Sequence, residues 1–161
     1  MVWIIYPLYL QSLGLDFFTI SILYTINPFL QFILMYTLTD RVSAHRLMAL
    51  GLTFSALVFF TMFLSSTPWH IIPVQILIAA SWSCLYVGAL RQVTEHDVRK
   101  ATTTGLLTSI INIGNIIGPL FGGVISEFTG SSKENMLLAA LLCAAALPIY
   151  LRSNRKNSKA D

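Results

Sequence analysis

The sequence predicts an all-helical, polytopic membrane protein with five full spans and a sixth, partial one, and three observations carry that reading. The 161 residues are 55% hydrophobic and only 11% charged, well under half of the roughly 25% charge with which a soluble domain covers its surface. The ten basic and seven acidic side chains crowd into short stretches and leave apolar runs of 18 or more residues between them, long enough to cross about 30 Å of hydrocarbon as helices. Those runs lack period-two alternation and are about twice the length of a barrel strand, so helices are predicted rather than strands. A mean hydropathy of +0.72 agrees. A soluble enzyme core is excluded.

The elements follow in order. Met1 to Leu13 is apolar but too short to cross, and its abrupt start reads as the back end of a spanning helix whose beginning is missing. It lacks the basic n-region of a cleaved signal peptide. Asp16 to Leu38 is the first full span and carries Tyr24, Asn27 and Gln31 at spacings of three and four, one helical face. Asp40, Arg41 and Arg46 follow it, a charge cluster able to clamp two helices through ion pairs and a helix C-terminus that favours cations. His45 to Ser66 is the second span; it offers only small or hydroxyl polar side chains and is expected to face lipid, so that a leucine at Gly51 should be milder than one at Gly118. Thr67-Pro68 breaks the chain before the third span, Trp69 to Leu90, which places Gln75, Trp82 and Tyr86 on one face with Ala79 between. The fourth, Thr103 to Ser126, carries Thr108, Asn112 and Asn115 on one face and glycines at 114, 118 and 122. A Gly130-Ser131-Ser132 turn leads to the fifth, Glu134 to Leu151, again without amides and expected to face lipid. Residues 152–161 form a basic tail, of which Ser153 to Asp161 is expected to be disordered.

Short connections imply antiparallel neighbours. Nine of the ten Lys and Arg follow the first, third and fifth spans, and the positive-inside rule puts those loops and the C-terminus in the cytoplasm of a multi-pass cell-membrane protein. The basic excess therefore reads as topology and not as a nucleic-acid patch. The expected surroundings are a lipid bilayer, with no nucleic-acid partner.

No Asp, Glu, Lys or Arg is buried within a span, since those that touch the spans sit at their ends, so in a proton-driven machine the coupling carboxylate is expected outside this chain. No HExxH or GxSxG motif and no paired His is present, which argues against an enzyme; Cys84 and Cys143 have no metal-ligand spacing, so neither metal nor cofactor is expected. Carboxamides in hydrocarbon need partners or water, and their restriction to three spans suggests helices lining one polar cavity. Interhelical hydrogen bonding alone accounts for any single one of them equally well.

Two motifs then resemble the major facilitator superfamily of transporters. Leu38-Thr39-Asp40-Arg41 with Arg46 matches part of the family's G-x-L-A-D-R-x-G-R-R loop, with Tyr36 and Ser43 at glycine positions and Ala44 at a basic one. Gly114, Gly118, Pro119, Gly122 and Gly123 complete a G-x-x-x-G-P-x-x-G-G pattern, whose small face admits a neighbouring helix while Pro119 removes a backbone hydrogen bond. The resemblance implies a secondary transporter that moves a small solute, with a leaning to drug or metabolite efflux, by rocking two six-helix halves about a midplane site. It implies the C-terminal half, from the end of helix seven through helix twelve, with the missing N-terminal half as partner. The amide-bearing spans then correspond to helices eight, ten and eleven. A truncated or split-gene fragment that only associates with other membrane helices is the alternative expectation.

Overall fold

In the computed structural model, residues 7–8, 10–12, 14–38, 41–65, 71–95, 99–130 and 132–157 are described. Five long helices follow one another: α1 (Phe17–Leu38), α2 (Ala44–Leu64), α3 (Ile71–Glu95), α4 (Lys100–Thr129) and α5 (Ser132–Asn157). Each is long and apolar enough to cross a membrane. Ahead of them, residues 10–12 are helical and stop at Gly14, whose positive φ of 83° suits a residue without Cβ. Its N–H meets the Gln11 carbonyl at 2.9 Å and that of Leu15 reaches back to Leu10 at 3.3 Å, the paired bonds of a Schellman ending. Asp16 opens α1. The Thr19 hydroxyl and nearby backbone N–H groups hold its exposed carboxyl below the ordinary value of 3.8.

Helix ends depart from the predicted spans where the polar flanks begin. α3 continues past Leu90 to Glu95, and Arg91 pairs with Glu95 one turn on at 2.6 Å. The expectation of a disordered tail from Ser153 is corrected as far as Asn157, where α5 ends. Apolar length measures where hydrocarbon stops, whereas helical hydrogen bonding continues into water, and basic residues suit a helix C-terminus.

α2 lies along α3 and α5, α1 packs on α3, and α4 makes lighter contact with α3 and α5. The main core joins Leu10, Ile20 and Leu23 to Val58 and Met62 of α2, Val74 and Ile78 of α3, and Met136 of α5. A smaller cluster gathers Leu47, Cys84 and Val87.

The lipid-facing expectation for the second span needs correction on one side of the helix. Ala44, Leu47, Gly51, Ser55, Val58 and Met62 of α2 are buried, a stripe at steps of three and four. Leu50, Leu57 and Phe60 remain exposed on the rest of the surface. A Cβ on Gly51 would stand 2.8 Å from the Leu85 backbone nitrogen, and one on Gly88 would stand 2.8 Å from that of Met48. The two helices therefore approach backbone to backbone at two levels, and the expectation that Gly51 faces lipid is corrected. One turn beyond Gly51, on the side away from Gly88, Ser81 donates to the Gly51 carbonyl at 3.3 Å, so that Ser55, 2.6 Å away, donates to Ser81.

Candidate functional site

The amide face of α1 meets the amide face of α3. Asn27 is buried, and its Nδ2 donates to Gln75 Oε1 at 2.9 Å and to the Gln75 carbonyl at 3.3 Å. One turn along α1, Gln31 Nε2 donates to Asn27 Oδ1, while Ser83 of α3 donates to the Gln31 carbonyl at 3.4 Å. The carboxamides thus form a directed relay, Gln31 to Asn27 to Gln75, that joins the two helices.

The same groups border a cavity of about 300 Å³ lined by Tyr24, Asn27, Pro28 and Gln31 of α1, Gln75 and Trp82 of α3, and Asn115 of α4. Interhelical bonding and cavity lining are therefore both present. Tyr86 and Asn112 do not line it. Tyr86 stacks on Trp82, ring centroids 6.3 Å apart and planes inclined by 19°, and Asn112 lies exposed on α4. Trp82 also borders a second, more apolar cavity of about 200 Å³ between α2, α3 and α5, together with Phe59, Met62, Ile78, Leu85 and Cys143. Its indole stands between the polar compartment and the apolar one.

Pro28 was not singled out from the sequence. A proline has no N–H for the carbonyl four residues back, and here that residue is Tyr24; Pro119 stands in the same relation to Asn115. Both spacings place a proline one turn beyond a cavity residue, a signal legible once Asn27-Pro28 is seen to lie mid-span.

The glycine stretch of α4 is only partly covered. Gly122 is buried, its carbonyl accepting from Asn135 of α5 at 3.0 Å, and Gly118 is half-buried next to Pro119. A Cβ at Gly114 or Gly123 would meet nothing within 4 Å. Close approach at those two is thus not made by the described residues.

In the loop motif Asp40 lies outside the described residues, and Arg41 and Arg46 are exposed. The bond that ties this loop to the bundle comes from Arg91, whose Nη1 donates to the Val42 carbonyl at 2.7 Å while Nε holds Glu95 at 2.7 Å. A second polar tie missed from the sequence spans three helices at the same end. Tyr150 of α5 donates to Gln92 Oε1 at 3.2 Å, which leaves its oxygen to accept from His45 Nδ1 at 2.9 Å, with the rings stacked 5.1 Å apart. Among the described residues no group of His, Cys, Asp and Glu could hold a metal ion.

Comparison with known proteins settles the family. The model of the Major Facilitator Superfamily matches residues 1–161. This chain belongs to the major facilitator superfamily. It is a multi-pass membrane protein of a transporter family. Among curated relatives, the proton-coupled antiporter flippase LtaA from Staphylococcus aureus strains MSSA476, MRSA252 and N315 is in each case 37% identical over 60 residues. Each match covers 35% of this chain and 15% of the relative's length. No solved structure matches.

Proposed function

We propose that this superfamily chain forms the C-terminal part of a secondary transporter, helix seven's end through helix twelve, moving a small drug or metabolite outward across the cell membrane by alternating access. The observation that carries the reading is the cavity in which Tyr24, Asn27, Gln31, Gln75, Trp82 and Asn115 meet from three helices. A polar compartment in hydrocarbon is costly unless water or a solute fills it. α1 and α4 flank it and leave Phe29, Phe32, Ile113 and Leu120 exposed, faces on which an N-terminal six-helix half would seat and rock. The antiporter name of the S. aureus relatives supports a coupled export cycle. With every acidic residue of this chain at or beyond a span end, the coupling carboxylate of such a cycle belongs to the partner half. Basic loops on one side favour a cytoplasmic C-terminus.

The test is reconstitution of this chain together with an N-terminal six-helix half in liposomes, screened against a panel of anionic, cationic and neutral small solutes. Saturable flux of at least one solute is expected, lost when either part is omitted. Absence of saturable flux with both parts present, or flux by this chain alone, overturns the reading.

A further inference from the structure

The wall that this chain lends to the polar cavity holds no charge. Residues 17–38, 71–90 and 101–126, which include every lining position, contain no Asp, Glu, Lys, Arg or His. The charged side chains of the contributing helices lie beyond these segments, and of those on α3 Arg91 and Glu95 neutralise each other. What the wall offers is carboxamide and indole. Gln31 spends one N–H on Asn27, and its oxygen is left to accept. Asn115 is exposed to the cavity with a donor and an acceptor. Trp82 is 38% exposed and lines the same cavity as both.

We infer that this wall recognises an uncharged solute, a flat ring stacked on Trp82 and carrying an amide- or hydroxyl-type group that bonds Gln31 and Asn115. The inference rests on reading the cavity as a solute site. An ion entering from water loses its hydration and finds no countercharge here, and neutral amide dipoles replace that loss poorly in a low-dielectric compartment. One indole face attracts a cation but does not stand in for a carboxylate. A neutral amide or hydroxyl, by contrast, exchanges water bonds for amide bonds at little net cost, and a ring on the indole removes apolar area from water.

Three probes share one ring and differ in charge: para-nitrobenzamide, para-nitrobenzoate and para-nitrobenzylammonium. The full chain in nanodiscs, with Trp3→Phe and Trp69→Phe so that Trp82 is the single tryptophan and is excited selectively, is titrated with each near neutral pH. The nitro ring quenches an indole on which it stacks. Saturable quenching by the benzamide, at least about tenfold tighter than by either charged probe, is expected. Asn115→Asp adds a carboxylate without touching the Gln31–Asn27–Gln75 relay and should bring the ammonium probe up to the benzamide. A charged probe that binds the unaltered cavity as tightly as the benzamide, or the lack of saturable quenching by any of the three, overturns the inference. Should the charge preference hold while the reconstituted halves move no solute, the transporter reading falls and this one stands. Flux restricted to charged solutes overturns the inference alone.

Discussion

A methyl group at Gly51 would meet the Leu85 backbone nitrogen at 2.8 Å, and one at Gly88 would meet the Met48 nitrogen at the same distance. Backbone atoms cannot rotate away as a flexible side chain does, so relief requires the helices to part and the Ser55–Ser81 bond beside them to lengthen. Overpacking of this kind typically costs about 1–3 kcal/mol. Gly51→Ala and Gly88→Ala should each lower the detergent-solubilised yield and the thermal midpoint, while Gly114→Ala and Gly123→Ala, with nothing within 4 Å, leave both unchanged in this chain. Unchanged yield and midpoint at Gly51 and Gly88 would mean that the α2–α3 seam is looser than described. The residue pattern pointed elsewhere because a repeat of glycines announces itself in a sequence, whereas a lone glycine such as Gly51 acquires meaning only from what lies across from it.

The link between α1 and α3 rests on apolar contact through Leu23 and on the amide relay, in which Asn27 spends both side-chain ends. Hydrogen bonds between membrane helices couple by about 0.6 kcal/mol on average and rarely exceed about 1.7. An Asn27→Ala, Gln75→Ala double-mutant cycle read by thermal unfolding in detergent should therefore give a coupling energy of about 1 kcal/mol. Additive losses would show that the two amides stabilise the fold independently. Sequence spacing put Asn27 and Gln75 each on an amide face of its own helix. Their pairing depended on the rotation and depth at which α1 docks on α3, quantities that periodicity within one helix does not contain.

Over the whole molecule the buried seam runs through α2, α3 and α5, while α1 and α4 leave large apolar faces uncovered. Arg91 on α3 and the His45–Tyr150–Gln92 tie draw the ends of α2, α3 and α5 together. This is the end that the basic residues assign to the cytoplasm. A fusion after Asp161 to a reporter active only in the cytoplasm should be active, and its partner active only outside should be silent. The reverse outcome would turn the molecule over in the membrane and move the basic loops to the far side.

Hydropathy and charge position were enough for the number of full spans and their helical character, because each is a property of a segment against its solvent: lipid accepts apolar helices of sufficient length and rejects unpaired charge whatever the neighbours are. The amide faces at Tyr24, Asn27 and Gln31 and at Gln75 and Trp82 were legible for the same reason, as polar groups that hydrocarbon cannot satisfy. The family resemblance came instead from two residue motifs, the loop at Asp40-Arg41 and the glycine-proline pattern from Gly114 to Gly123. Tertiary structure alone decided which faces meet. It turned Gly51 from a surface position into a point of backbone contact, left Tyr86 and Asn112 off the cavity wall, and gave the loop its tie through Arg91. These depend on distances between segments far apart in the chain, set by the packing of five helices at once.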